Sequence, residues 1–147
     1  MTLDEICALS VEKLAAENCS LFLWTTGPKL LEAFEVIKAW GFEYKTVAFV
    51  WLKQTQASKD WFTGLGWWTR SNSEFCLLAT KGNPVRFSNA VHQLIVSPIR
   101  EHSKKPDETR DRIVKLVGDL PRIELFARQK TKGWDIWGNE LENDIEL

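Results

Sequence analysis

Three segments of this chain hold residue types that could do chemistry. The first, Lys53 to Asn72, interleaves Trp61, Phe62, Trp67 and Trp68 with Lys53, Lys59 and Arg70. Aromatic faces stack unpaired bases at roughly 1–3 kcal/mol each while nearby cations hold the phosphate backbone, so the segment suits single-stranded nucleic acid. The alternative is that Trp67 and Trp68 fold back and cap a sheet, although a buried indole needs a hydrogen-bond partner. The second is Arg100-Glu101-His102-Ser103-Lys104-Lys105-Pro106, directly before a helical pattern. A lysine at a helix start suits a carboxylate or phosphate, because free N–H groups and the positive end of the dipole lie there. A solvated basic turn is the competing reading. The third is Glu124-Leu125-Phe126-Ala127-Arg128, followed by Trp134 to Glu140. Open α/β sheets bind ligands outside the carboxyl ends of their strands, and Phe126 to Arg128 sits at such an end. Asn139 and Glu140 can hydrogen-bond ribose hydroxyls or simply close a turn. Glu124 stands alone in an apolar strand and needs a partner if buried.

Several familiar sites are missing. The chain has no glycine-rich phosphate loop and no nucleophile elbow, and neither His92 nor His102 has a second ligand at metal spacing, so no metal is expected. Cys7, Cys19 and Cys76 are odd in number, far apart and in apolar surroundings, which favours reduced thiols in a cytoplasmic protein. Nineteen Lys plus Arg against twenty Asp plus Glu give a net charge of -1, so any nucleic-acid contact must be local. Arg70, Arg100, Lys104, Lys105, Arg128, Lys130 and Lys132 fall where such a patch would be needed. The acidic start lacks a secretory pattern and no apolar run reaches a membrane span, so no membrane partner is expected.

The elements that must position these residues are those of an α/β domain. At 147 residues, 44% hydrophobic and 27% charged, the chain reads as one globular domain over residues 1–147. Ser20 to Thr25, Thr46 to Leu52, Phe75 to Ala79 and Ile123 to Ala127 are continuous apolar runs, as in a covered, mostly parallel sheet. Pro28 to Trp40 and Pro106 to Val117 carry helical stripes, each ended by a glycine, Gly41 and Gly118. Shorter helical turns fit Leu3 to Leu9 and Val11 to Ala16. Strand and helix alternate, which is the α/β class. The stretch from Lys53 to Asn72 breaks the alternation, so its flanking strands should pair antiparallel around a loop long enough to suggest function. Of eight tryptophans, Trp24, Trp40 and Trp51 belong to strands and helix ends, while Trp61, Trp67, Trp68, Trp134 and Trp137 fall in the site segments.

A series of short motifs runs in order: Phe22-Leu23-Trp24-Thr25, the Trp40-Gly41-Phe42 turn, Phe49-Val50-Trp51-Leu52-Lys53, and Arg70-Ser71-Asn72-Ser73-Glu74 leading into Cys76 to Pro84. It continues with His102-Ser103-Lys104-Lys105-Pro106-Asp107-Glu108, Ile123 to Arg128, and Trp137-Gly138-Asn139. Together they resemble the mRNA adenine-N6 methyltransferase 70 kDa subunit family and its bacterial and phage DNA-adenine relatives. The resemblance implies a Rossmann-like class I methyltransferase fold with permuted motif order and S-adenosyl-L-methionine as cofactor. It places the methionine carboxylate at Lys105, Phe126 and Arg128 along the cofactor pocket, and Asn139 and Glu140 on the ribose. Lys53, Trp61, Trp67, Trp68, Arg70 and Asn72 would belong to the loop that closes over the target adenine.

The family's Asp-Pro-Pro-Trp signature is absent, and Met1 to Ile6 aligns with the helix that follows it. The expectation is therefore a domain incomplete at the N-terminus, without catalytic residues of its own. Asp and proline carbonyl oxygens would otherwise orient the exocyclic amine for transfer. The implied function is adenine-N6 methylation of nucleic acid, DNA rather than RNA, with a second methyltransferase subunit as a conceivable partner. The alternative is a non-catalytic nucleic-acid-binding or scaffolding subunit with a degenerate methyltransferase fold.

Overall fold

A computed structural model describes residues 1–101 and 104–147. Its elements are α1 (Leu3–Cys7), β1 (Cys19–Thr25), α2 (Leu30–Ala39), β2 (Glu43–Gln54), β3 (Ser73–Lys81), β4 (Leu94–Pro98), α3 (Glu108–Val117), β5 (Ile123–Leu125) and β6 (Asp135–Trp137). A mixed four-stranded sheet in the order β1-β3-β2-β4 lies at the centre, and β5 and β6 form a separate two-stranded sheet.

The strands differ from the expected mostly parallel arrangement. β3 is antiparallel to β1 and to β2, and β4 is parallel to β2. Apolar residues on both faces report burial on both faces, and burial does not fix strand direction. The flanks of the long loop, β2 and β3, do pair antiparallel. It follows that β1, β2 and β4 all point the same way. Their carboxyl ends meet the amino end of β3 along one rim, where Thr25 pairs with Phe75, Leu52 with Ser73 and Gln54 with Pro98.

Local chemistry sets the element ends. Thr2 and Glu5 form a capping box on α1: Thr2 Oγ1 accepts from the Glu5 N–H at 3.2 Å, and Glu5 Oε2 accepts from the Thr2 N–H at 2.7 Å. A 3-10 turn at Gly27–Lys29 with Pro28 leads into α2, and Gly41 at φ +83° follows its end. Gly118 at φ +92° ends α3, a conformation in which a Cβ would be strained.

Two cores sandwich the central sheet. Successive residues of β3 face opposite sides, so Leu77 and Ala79 pack with Val36, Ile37, Trp40 and Phe42, while Cys76 packs with Phe49, Trp51 and Ile95. Each deeply buried indole finds an acceptor: Trp40 Nε1 donates to Ile6 O and Trp51 Nε1 to Ser97 O, both at 2.9 Å. The first bond ties α1 to α2 and the second ties β2 to β4.

Candidate functional site

The rim is where charge concentrates. Glu74, at the amino end of β3, is 5% exposed and receives two lysines from different segments. Lys53 Nζ, near the end of β2, lies 2.6 Å from Glu74 Oε1; Lys105 Nζ, from the turn before α3, lies 2.6 Å from Oε2. Both ammoniums also sit over aromatic rings. Lys53 is 5.1 Å from the Trp51 centroid and 5.9 Å from Phe62, and Lys105 is 5.8 Å from Trp24 and 5.9 Å from Trp51. Burial pushes the Glu74 carboxyl up, but hydrogen bonds and charge from Lys105 and Lys53 outweigh it and hold the group below the usual carboxylate range. Cys76 beside it, pushed up to about 12 by burial, stays a thiol. Two cations on one carboxylate leave one net positive charge, and each ammonium keeps N–H donors beyond the one given to Glu74. Glu74 and Lys105 open onto a cleft of about 260 Å³ that Trp24, Thr25, Thr26 and Lys29 complete.

A second group gathers at the carboxyl ends of β5 and β6. The parallel register Leu125↔Trp137 sends 126–128 and 138–140 out side by side. The Ala127 N–H donates to Trp137 O at 3.0 Å, and a Cβ at Gly138 would meet Ala127 O at 2.5 Å, so only glycine lets the tips approach this closely. Phe126 adopts φ +58°, a left-handed conformation costly for a bulky side chain. That geometry leaves its ring 42% exposed, edge-on to Trp137 with centroids 5.3 Å apart. Arg128 Nε approaches Glu140 Oε1 at 3.9 Å, and Asn139 beside it is exposed. The two tips thus bring Phe126, Arg128, Asn139 and Glu140 together.

An ionic relay joins the two groups. Arg100 donates to Asp107 Oδ2 at 2.9 Å and to the Lys105 carbonyl. Arg110 donates to Asp107 Oδ1 at 3.1 Å and grips both oxygens of Glu124 at 2.8–3.0 Å. The Arg100 guanidinium is the main reason the Asp107 carboxyl lies below its ordinary range. Glu124, solitary in the sequence, therefore has its partner on α3.

Within the Lys53 to Asn72 segment, Lys53 and Phe62 reach the rim group. The Lys53 N–H donates to Asn72 O at 2.9 Å and the Phe62 N–H to Lys53 O at 3.0 Å, so both ends of the loop hang on one residue. A Cβ at Gly64 or Gly66 would run into Ser71 O at 2.1 Å or Thr69 O at 2.0 Å, and Arg70 donates to Gly66 O at 3.1 Å. Folded back this tightly, the loop presents Trp67 and Trp68 outward at 92% and 93% exposure, with Trp61 at 56%. The rings do not cap the sheet. Lys53 belongs to the rim by its side chain, not to the loop.

Sequence reasoning missed Glu74 as a site residue, although a carboxylate directly heading the apolar run Phe75 to Ala79 carries a signal akin to that of Glu124. It missed Trp24 and Lys29 as cleft residues, since only the rim brings them to Lys105. Of the quoted motifs, His102 and Ser103 lie outside the described residues. A larger cleft of about 360 Å³ lies between α3 and Trp134, but none of Lys105, Phe126, Arg128, Asn139 or Glu140 lines it. Among the described residues no helix is long and apolar enough to cross a membrane, and no group of three or more His, Cys, Asp or Glu could hold a metal ion.

Comparison with known proteins gives consistent matches. The family model described as MT-A70 matches residues 1–140. The type II methyltransferase M.MunI of Mycoplasma sp is 41% identical over 150 residues, covering 100% of this chain and 61% of that protein. The N(6)-adenosine-methyltransferase MT-A70-like of Arabidopsis thaliana is 33% identical over 147 residues, 98% of this chain and 21% of its own length. The N(6)-adenosine-methyltransferase catalytic subunit METTL3 of Homo sapiens is 34% identical over 146 residues, 97% of this chain and 25% of its own length. The chain thus spans about three fifths of the first relative and a quarter or less of the other two.

Proposed function

This chain belongs to the MT-A70 family, and from that premise we propose that it supplies the cofactor-binding rim and the substrate loop of an S-adenosyl-L-methionine-dependent adenine-N6 methyltransferase acting on nucleic acid. The observation that carries the reading is the relay Arg100–Asp107–Arg110–Glu124, which links the lysine before α3 to the β5 and β6 tips.

The donor set fits an amino-acid-bearing nucleoside. Lys105 offers an ammonium beside indole faces, in a cleft at the carboxyl end of β1, which suits a carboxylate. The strained, exposed ring of Phe126 and the close approach of the tips at Gly138 form a cradle that a Cβ would fill. Arg128 stands beside Glu140 at the same tips, and Asn139 with Glu140 offers an amide and a carboxylate to vicinal hydroxyls. What the cofactor supplies when bound is an electrophilic sulfonium methyl. The chain's own residues bind and orient: Lys105 fixes the charged end, the tips fix the nucleoside, and Trp67 and Trp68 on the loop stack the flipped or unpaired target base. No Asp-Pro-Pro occurs among the 147 residues, so orientation of the exocyclic amine is not assigned to them.

DNA is the favoured substrate, since identity is 41% with a protein named as a type II methyltransferase against 33–34% with those named as N(6)-adenosine methyltransferases. The second reading is a non-catalytic subunit that completes a partner's site. Calorimetric titration of S-adenosylhomocysteine tests the first reading. Lys105→Ala and Asn139→Ala should each weaken binding about tenfold or more, as expected for loss of a charge-assisted or buried hydrogen bond, and unchanged affinity in both would sink the cofactor assignment.

A further inference from the structure

We propose that Glu74 is a positioning residue, whose single carboxylate holds Lys53 and Lys105 as a pair carrying one net positive charge and presents that charge to the carboxylate end of the cofactor. The inference rests on the role proposed for Lys105 and adds to it two residues that need not touch the ligand.

Three observations support it. Glu74 is 5% exposed, and each of its oxygens takes one ammonium at 2.6 Å. A buried ion pair of this kind is often no more stabilising than apolar residues of equal volume, so stability alone is a weak reason for placing three charges here. The three residues also come from three separate segments, the ends of β2 and β3 and the turn before α3, which converge only at the rim. Glu74 and Lys105 both line the cleft, while Lys53 is held behind them between Trp51 and Phe62.

The charge count gives the pair its purpose. Glu74 with Lys105 alone would be neutral toward an incoming anion. Lys53 restores a full positive charge without occupying the cleft, and the carboxylate between them holds the two ammoniums together. Other groups facing this cluster are Lys29, across the cleft on the turn before α2, and Cys76 on β3, which burial keeps protonated.

The test compares S-adenosylhomocysteine with 5′-methylthioadenosine, which shares the nucleoside and lacks the carboxylate. In the full chain, Lys53→Met should weaken S-adenosylhomocysteine about tenfold while leaving 5′-methylthioadenosine unchanged. Glu74→Gln should likewise weaken S-adenosylhomocysteine and spare 5′-methylthioadenosine, because both ammoniums lose the carboxylate that aims them. In parallel, amine acylation followed by mass spectrometry should find Lys53 or Lys105 labelled about tenfold faster at pH 8 in Glu74→Gln than in the unchanged chain, and slow again in Glu74→Asp. Equal losses for both ligands, or unaltered labelling, would overturn the positioning role and leave Glu74 a structural ion pair. If Lys105→Ala leaves S-adenosylhomocysteine affinity intact, the cofactor reading fails instead, whatever the labelling shows.

Discussion

Arg110 grips both carboxylate oxygens of Glu124 at 2.8–3.0 Å, and so fastens the helix that follows Lys105 to the strand that leads into Phe126. The pair is partly buried, its side chains 17% and 31% exposed. The two halves of the candidate site owe their relative placement to this contact.

Arg110→Ala should therefore cost stability as well as binding. Leaving Glu124 half-buried without its guanidinium costs about 1–2 kcal/mol, which corresponds to a fall in Tm of roughly 2–8 °C for a domain of this size. Thermal melting followed by circular dichroism measures it. A Tm within 1 °C of the parent, taken as roughly the smallest resolvable shift, would mean that the relay is incidental.

Replacing Trp67 and Trp68 together by alanine should leave stability within about 0.5 kcal/mol, because both rings lie outside either core. Binding of a fluorescent single-stranded oligonucleotide, read by anisotropy, should weaken at least about tenfold, in keeping with one to two lost stacks. A large drop in Tm with unchanged DNA binding would reverse both statements.

Phe126→Asn separates strain from function. Asparagine tolerates the left-handed backbone that Phe126 is forced to adopt, so the variant should melt no lower than the parent. S-adenosylhomocysteine affinity should nonetheless fall about tenfold as the aromatic wall is lost. A lower Tm without loss of affinity would show that the ring is a packing element against Trp137.

The depressed carboxyl of Glu74 also has a pH signature. Its folded-state pKa lies below its unfolded value, so the unfolded chain binds more protons across the interval between them. The stabilisation is complete above the unfolded carboxylate pKa, about 4.3, and is lost as pH falls through the folded value. Asp107, held low chiefly by Arg100, contributes in the same direction. Urea unfolding between pH 3 and 6 should show stability rising with pH, and Glu74→Gln should flatten that rise. A variant with the same slope as the parent would place the proton uptake elsewhere.

The helices and the three long strands were legible in the sequence because each signal is local. Pro28 and Gly41 bracket α2, Gly118 stops α3, and the apolar runs of β1, β2 and β3 are unbroken. β4 and β6 were not, since Leu94–Pro98 and Asp135–Trp137 are short, and β4 takes its strand geometry from a partner more than 40 positions away by number. The expected strand Ile123 to Ala127 narrows to Ile123–Leu125, because Phe126 turns into the left-handed region just where pairing would continue, and it pairs with β6 outside the central sheet. The same division holds for the site. Lys105, Phe126 and Asn139 were visible as types in motifs, whereas the Glu74 bridge needed Lys53 and Lys105, 52 positions apart by number, to meet across a rim that only the strand directions create.

Because both ends of the tryptophan-bearing loop are tied to the backbone of Lys53, residues 63–71 form an exchangeable cassette. Its ends stay put whatever lies between them, and doubling such a loop costs only about 0.6 kcal/mol of closure entropy. On the proposed function, target preference would be traded by replacing one short stretch of chain, while the rim proposed to hold the methyl donor is inherited unchanged.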